Sequence, residues 1–324
     1  MIKSQKNLLK KFLNLNLYFS KIIFWINNLL LSRIERLFSF NKELKYSPIF
    51  IVGAPRSGST LLMQLIIQSF DVGYFTNLHN LLFGFPALID YFFNCRKYLK
   101  KSKNKFSSFH GTTKNLFGVS ENFKWWYRFF KIYPTYTSLL DLDKRSMSNF
   151  RISITSMINV VKKPFLFKNL YSSFRLLPIC DTLPESLFIF ITRDELQNAH
   201  SLLKCRIDTF HNYDEWFSLE PRNINDLKKL KPHEQVIEQV REINKTIKMD
   251  FKNSKISKRK IFSVSYEDLC DRPFEVIEKL EAFFKENNCK IKKIKKFKKK
   301  FRTNKKILID KDLFNKLVDY KKNS

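Results

Sequence analysis

The chain has 324 residues, of which 44% are hydrophobic, and it carries a formal net charge of +30 at pH 7. This length suits one large α/β domain with appendages or two small domains, and the charge favours anionic partners such as nucleotides, acidic glycans, lipid headgroups or nucleic acid. The five cysteines are scattered and show no metal-binding spacing, which argues against a disulfide scaffold or a zinc site and predicts a reducing, cytoplasmic setting.

Residues 1–45 are predicted to form an amphipathic helical segment. Its longest charge-free stretch, IIFWINNLLLS at residues 22–32, lies between Lys21 and Arg33 and contains two asparagines. A transmembrane helix needs about 20 mostly apolar residues, and no small-residue cleavage site of a signal peptide is present. We expect a helix that packs on the domain. A helix on a membrane surface, which would make the protein peripheral to the membrane, and a true span are the alternatives.

Residues 46–290 have the pattern of one α/β domain, and residues 291–324 form a basic tail. Short continuous apolar runs predict buried parallel strands, and apolar residues at helical spacing predict the helices that follow them. The predicted strands are 48–52, 164–167, 186–192 and 261–264, and the predicted helices are 59–70, 194–205, 233–250 and 273–286. We therefore expect a central parallel sheet flanked by helices.

The segment PIFIVGAPRSGSTLLMQLI, residues 48–66, places a glycine loop between a strand and a helix. The chain has only six glycines, and two of them, Gly53 and Gly58, lie in this loop, which indicates a backbone requirement that glycine meets. Loop amides and the positive end of a helix dipole together bind anions. Ser59 replaces the lysine of the nucleotide-triphosphate pattern G-x-x-x-x-G-K-[ST]. The loop can thus hold one phosphate, with Arg56 as the nearest cation.

This loop resembles the 5′-phosphosulfate loop of the sulfotransferases that use 3′-phosphoadenosine 5′-phosphosulfate (PAPS). Their pattern is P-[KR]-S-G-[ST]-[ST], and the chain matches it with Pro55, Arg56, Ser57, Gly58, Ser59 and Thr60. In SLFIFITRDELQNAHSLLKCR, Arg193 ends a predicted strand and Ser201 follows eight positions later. The resemblance implies that this pair binds the 3′-phosphate, a group that ATP lacks. Arginine can grip a phosphate with two hydrogen bonds.

Two further segments resemble the family, and one position departs from it. FLFKNL puts Lys168 in the position of a lysine that precedes the Arg-Asp strand, and VSYEDLCDRPFEVIEKLEAFF, residues 264–284, resembles an architectural segment in which Tyr266 holds a strand end. The proline that usually follows Arg-Asp is replaced by Glu195. The resemblance covers residues 47–290 and implies a three-layer fold of the P-loop type.

The implied reaction is an in-line displacement in which an acceptor hydroxyl attacks sulfur. It needs donors to the sulfonate oxygens, a cation at the bridging oxygen and a base, and it needs no metal. Arg56 and the loop amides would supply the first two, and Lys168 either adds charge or packs as a strand-end lysine. Glu121, in GVSENFKWW, is the first candidate for the base because the resembling bacterial group has a glutamate before an aromatic cluster there. His110 and His79 are its rivals.

We predict an enzyme that transfers the sulfuryl group of PAPS to a hydroxyl, with a glycan or lipid-linked glycan as the candidate acceptor and no nucleic-acid partner. The aromatic residues after Glu121 either line the acceptor pocket or belong to the core. The lysine run of the tail is a solvated end, a membrane or acceptor patch, or a flap over the donor.

Two alternatives from other classes stay open. A P-loop kinase or NTPase would share the loop, but the missing lysine and the pair Arg193 and Ser201 argue against it. A non-catalytic basic protein would bind membrane or nucleic acid through its positive charge alone. Part of that charge is explained without selection by the many lysine codons of an AT-rich genome. The retained Arg56, Arg193 and Ser201 argue against this second alternative.

Overall fold

The computed structural model describes residues 21–37, 43–93, 116–294, 301 and 306–324. A five-stranded sheet with the order β2-β3-β1-β4-β5 forms its centre, and every neighbouring pair of strands is parallel. The strands are β1 Pro48–Val52, β2 Gly73–Tyr74, β3 Phe165–Lys168, β4 Leu187–Thr192 and β5 Ile261–Ser265. All five residues of β1 are buried, as a continuous apolar run in a parallel sheet predicts.

Helices connect these strands and cover both faces of the sheet. In chain order they are α1 at residues 21–37 (with a π-helical turn at Asn27–Leu31 and a last part at Ser32–Leu37), α2 Ser59–Ser69, α3 Asn77–Leu81, α4 Pro86–Phe93, α5 Phe123–Trp126, α6 Lys144–Val161, α7 Leu176–Thr182, α8 Glu195–Phe210, α9 Ile224–Leu227, α10 Pro232–Asn253, α11 Tyr266–Asp271, α12 Pro273–Glu286 and α13 Lys311–Asn323. Short 3₁₀ turns lie at Leu139–Asp141, Leu170–Phe174 and Lys258–Lys260.

The sheet separates two hydrophobic cores, because successive side chains of a strand point to opposite faces. Ile49 and Ile51 of β1 belong to the core that β1 forms with α2 and α12. Phe50 and Val52 belong to the core that includes residues of α6, α8 and α10. The predicted three-layer α/β fold with a central parallel sheet is therefore confirmed.

The N-terminal helix packs on the domain through α4 and the turn before it. The rings of Phe24 and Phe83 are 5.4 Å apart between centroids, and the Asn27 side chain donates to the carbonyl oxygen of Leu81 (3.2 Å) and accepts from the amide of Gly84 (2.8 Å). Within the part of the chain that the structure describes, no helix combines the length and the apolar character needed to cross a membrane.

The C-terminal region also packs on the domain where it is described. Lys293 forms an antiparallel bridge with Phe70, the residue after α2, and the amide of Ile294 donates to the carbonyl oxygen of Ser69 (2.8 Å). Helix α13 packs against α8 and α10, with Leu317 fully buried. The sequence pattern did not predict this helix. Most of the lysine run, residues 295–300 and 302–305, lies outside the described residues, and its three alternative roles stay predictions.

Candidate functional site

The glycine loop between β1 and α2 takes a conformation that explains both of its glycines. Arg56 and Gly58 lie in the left-handed region, with φ of 66° and 93°. A Cβ on Gly58 would overlap the ring of Tyr266, and one on Gly53 would overlap the carbonyl oxygen of Ile191. Glycine is thus needed for close approach at both positions and for backbone freedom at Gly58.

Side chains from two other segments hold the loop through its backbone. The Ser173 hydroxyl accepts from the amide of Gly53 and donates to its carbonyl oxygen, both at 3.0 Å. Asn198 Nδ2 donates to the carbonyl oxygen of Pro55 (2.9 Å). Arg193 Nη1 donates to the carbonyl oxygen of Arg56 (3.1 Å). These bonds satisfy the carbonyl oxygens of Gly53, Pro55 and Arg56 within the protein.

The hydrogen-bond donors that remain unpaired lie at the end of the loop and the start of α2. The amides of Ser59 and Thr60 belong to its first turn and donate to no acceptor among the described residues, as is usual at a helix N-terminus. The hydroxyl of Ser57 is buried and likewise has no partner in the described part of the chain. This set of unpaired donors at a positive helix end fits an anion.

Arg193 and Ser201 approach the loop from the β4 side. The Arg193 guanidinium lies over the Tyr266 ring, 4.6 Å from its centroid. Its Nε is buried without an acceptor among the described residues, and burial lowers the pKa of this arginine. Arg56 Nε donates to Ser201 Oγ (3.2 Å). The structure therefore brings together the three side chains that the sequence assigns to phosphate binding.

Lys168 and Glu121 form a buried ion pair on the other side of the loop. Lys168 is the last residue of β3 and pairs in register with Ile51 of β1, so it lies beside the strand that leads into the loop. The side chains of Lys168 and Glu121 are only 4% and 10% exposed. Glu121 also accepts from the amide of Leu170 (3.2 Å).

A short antiparallel pairing places Glu121 at this edge. Thr76 pairs with Val119, and the amide of Ser120 donates to the carbonyl oxygen of Phe75 (2.9 Å). The extension of β2 thus delivers Glu121 to the carboxyl end of β3. Asn169 Nδ2 adds a bond to the Glu121 carbonyl oxygen (3.3 Å).

His79, one of the two rival candidates for the base, is used inside the fold. It is fully buried, and its Nδ1 lies 3.1 Å from the amide and 2.7 Å from the hydroxyl of Thr76. Thr76 is the N-cap of α3, so His79 takes part in capping this helix. Its Nε2 lies 3.4 Å from a carboxylate oxygen of Asp90. Both ring nitrogens are therefore turned to neighbours in the fold, which favours a structural role. His110, the other rival, lies outside the described residues.

The aromatic residues after Glu121 divide between the core and the site. Trp125 and Trp126 are buried against the sheet and contact Phe167. Tyr127 and Tyr171 are half-buried, with ring centroids 6.2 Å apart. Phe123 is half-buried too and packs edge-on against Tyr171, with centroids 5.9 Å apart.

A fully buried arginine supports this aromatic group from below. The Arg175 guanidinium lies 5.2 Å from the Tyr171 centroid and 4.8 Å from that of Phe130, and burial lowers its pKa to about 10. Burial also raises the pKa of Tyr127.

The sequence analysis missed Ser173 and Asn198, and it described Tyr266 only as a support for a strand end. The two polar residues act on backbone atoms of the loop, and no spacing in the sequence marks them. Among the residues that the structure describes, no group of three or more His, Cys, Asp or Glu side chains is placed to hold a metal ion.

Comparison with known families gives a match over most of the chain. A family model described as "Sulfotransferase family" matches residues 48–287. A comparison with curated protein sequences gives no match.

Among solved structures, sulfotransferase STF9 from Mycobacterium avium shares 13% identity and a TM-score of 0.48, over 74% of this chain and 64% of that one. Sulfotransferase STF1 from Mycobacterium tuberculosis shares 12% identity and a TM-score of 0.46, over 80% and 73%. The sulfotransferase domain from the curacin biosynthetic pathway shares 16% identity and a TM-score of 0.40, over 75% of each chain. Since these TM-scores lie below 0.5, the family assignment rests on the family model alone.

Proposed function

This chain belongs to the sulfotransferase family, whose model matches residues 48–287, and from that premise we propose that it transfers the sulfuryl group of PAPS to a hydroxyl of an acceptor. The convergence of Arg193 and Ser201 on Arg56 carries the proposal, with contacts of 3.1 Å and 3.2 Å. It would give the donor a second anion-binding group beside the loop that holds its 5′-phosphate. A donor with separate 5′ and 3′ phosphates fits this arrangement better than ATP does.

The residues at the loop fit such a donor. The amides of Ser59 and Thr60, the start of α2 and the buried hydroxyl of Ser57 would hold the 5′-phosphosulfate. Arg193 and Ser201 would hold the 3′-phosphate, since the Ser201 hydroxyl accepts from Arg56 and keeps its own hydrogen to donate. When bound, PAPS supplies a sulfuryl group on a good leaving group.

Arg56 and the ion pair of Lys168 and Glu121 stand on the two sides of β1. Arg56 belongs to the loop and would stabilise negative charge on the departing phosphate oxygen. A carboxylate offers about four lone-pair sites, so Glu121 keeps acceptor capacity beyond its bonds to Lys168 and Leu170. We assign Glu121 as the base that takes the acceptor proton and Lys168 as the residue that orients it.

We propose a glycan or a glycolipid as the acceptor class. Phe123, Tyr127 and Tyr171 present half-buried aromatic rings in the chain segments that flank the ion pair. Flat apolar rings with polar edges suit the faces of sugars. Once donor binding is established, screening of glycans and glycolipids as acceptors would test this proposal.

The decisive experiment is calorimetric titration with 3′-phosphoadenosine 5′-phosphate (PAP), with Mg·ATP and 5′-AMP as comparison ligands. We expect PAP to bind without metal and to bind tighter than 5′-AMP. Arg193→Ala should weaken PAP binding by roughly 10- to 100-fold, because it removes a charge-assisted hydrogen-bond donor. It should weaken 5′-AMP binding much less, since for that ligand only the bond from Arg193 to the loop carbonyl oxygen of Arg56 is lost.

Arg272→Ala is the matched control, since Arg272 is an exposed arginine of the same charge at the end of α11. It should leave PAP binding unaltered. Binding of Mg·ATP in preference to PAP would overturn the sulfotransferase proposal in favour of a kinase. If none of the three ligands bound, the basic surface would become the leading explanation of function.

A further inference from the structure

Helix α1 turns its polar side chains toward the protein. Asn27, Ser32 and Glu35 are its buried residues, with 1%, 6% and 4% exposure. Asn27 is bonded to Leu81 and Gly84, and the Glu35 carboxylate accepts from the amide of Ala87 (2.9 Å) in the first turn of α4. These polar contacts fix the rotation of the helix about its axis.

As a result, α1 presents most of its apolar side chains to the outside. An amphipathic helix on a globular domain normally does the opposite and buries its apolar face. Trp25 is 63% exposed and Leu30 is 55% exposed. The exposed apolar side chains of this face are Ile22, Trp25, Ile26, Leu29, Leu30 and Leu37.

The neighbouring helix α4 adds to the exposed apolar surface. Glu35 caps its first turn, and its last turn exposes Tyr91 and Phe92, the latter by 69%. Large exposed apolar areas on soluble domains mark contact sites for proteins or membranes. We call the exposed apolar residues of α1 and α4 the apolar face.

The charges on α1 decide between these two kinds of partner. Lys21, Arg33 and Arg36 are exposed, whereas Glu35, the one acid of the helix, is buried. In a symmetric dimer each residue near the axis meets its own copy, so a second copy of this chain would bring like charges together. An anionic lipid surface would instead attract these side chains while its acyl region accepts the apolar face.

We propose that the apolar face of α1 and α4 docks the protein on a membrane surface rich in anionic lipid. Trp25 would lie at the level of the headgroups, where tryptophan is favoured. The proposal stands on the surface alone and does not depend on the reaction.

The test is co-sedimentation of the full chain with phosphatidylcholine vesicles, with and without phosphatidylglycerol. We expect binding to the anionic vesicles and a blue shift of tryptophan fluorescence that Trp25→Phe abolishes. Trp25→Ser combined with Leu30→Ser should weaken binding about tenfold or more. Lys21→Gln combined with Arg33→Gln should reduce the preference for the anionic vesicles.

Phe274→Ser is the control, since Phe274 is another exposed aromatic residue, in the first turn of α12. It should leave vesicle binding unchanged. All the altered side chains are exposed, and circular dichroism would verify that each variant folds. Unchanged vesicle binding in the Trp25 and Leu30 variant would overturn the proposal. A wild-type protein that is dimeric in analytical ultracentrifugation, with a monomeric Trp25 and Leu30 variant, would overturn it too, because the face would then bind a second copy of the chain.

Discussion

Gly58 and Tyr266 act as one unit, although 208 positions separate them in the sequence. The Tyr266 ring lies against the loop where Gly58 has no side chain, and the same ring carries the Arg193 guanidinium on its face. One aromatic ring therefore sets the distance between the loop and the residue assigned to the 3′-phosphate. This contact explains why the loop needs glycine in terms of space as well as of φ.

Gly58→Ala should therefore impair both folding and donor binding. We expect the free energy of unfolding to fall by about 1–3 kcal/mol and PAP binding to be lost, because the backbone conformation and the Tyr266 contact are both disturbed. Urea denaturation and calorimetry would measure the two effects. Adding Tyr266→Ala should relieve the overlap while leaving the backbone strain. Wild-type stability of Gly58→Ala would contradict this account of the loop.

Glu35, a buried residue of α1, should make the stability of the protein depend on pH. Burial raises the pKa of Glu35 to about 7, whereas in the unfolded chain a glutamate ionises near its usual value of about 4.3. The folded protein therefore holds the proton longer, and this group should make the free energy of unfolding fall as the pH rises from about 4.5 to about 7. The total loss is on the order of 3 kcal/mol.

Urea denaturation at several pH values would measure this slope in the wild type and in Glu35→Gln. Asp250, whose pKa burial raises to about 6, acts in the same direction, so the difference between the two proteins isolates Glu35. Glu275→Gln, at an exposed glutamate of α12, should retain the wild-type slope. An identical slope in Glu35→Gln would refute the assignment.

The sequence predicts those residues of the site that belong to a motif with a fixed spacing. Arg56, Arg193 and Ser201 follow a motif, and the structure brings them together. Ser173 and Asn198 were not predictable, because they bind backbone atoms, which every residue offers.

At the scale of elements, α1 and α13 show two different limits of prediction. The existence of a helix within residues 22–32 follows from composition, but its rotation does not, because it depends on Asn27 and Glu35 meeting partners that are distant in the chain. The strand β2 has only two residues and is too short for a pattern to mark it. Helix α13 has apolar residues at helical spacing, Leu313, Leu317 and Tyr320, which the surrounding lysines obscured.

Helix α13 should contribute to stability as part of the core. Leu317 is fully buried between this helix, α8 and α10, so Leu317→Ala should lower the free energy of unfolding by about 2–5 kcal/mol. Leu140, which is 97% exposed, supplies the control, and Leu140→Ala should change stability by less than about 0.5 kcal/mol. Similar effects of the two substitutions in urea denaturation would show that α13 does not pack as described.

At the scale of the whole molecule, a chain with a net charge of +30 is proposed to bind a highly anionic donor. Field effects of this kind raise association rates and are screened by salt within about 10 Å at 0.1 M. The net charge follows from the sequence alone, whereas the strand order that brings the site residues together does not.

Donor association should therefore slow as salt is added. We expect the association rate constant for PAP to fall at least about tenfold between low and high salt, with a much smaller change in the dissociation rate constant. Stopped-flow measurements over a range of sodium chloride concentrations would record both, and uncharged adenosine would show how much of the effect is unrelated to charge. A rate constant for PAP that is independent of salt would be at odds with electrostatic steering.

The strand order β2-β3-β1-β4-β5 has a consequence for how such a chain can diversify. The residues proposed to hold the donor come from the loop after β1 and from the segment after β4, whereas Glu121, Phe123 and Tyr127 come from one continuous stretch, residues 75–164. Recombination at the two ends of that stretch would exchange the acceptor side as a cassette and leave the donor side intact. Descendants of one ancestor could thus share a sulfuryl donor and differ freely in what they modify.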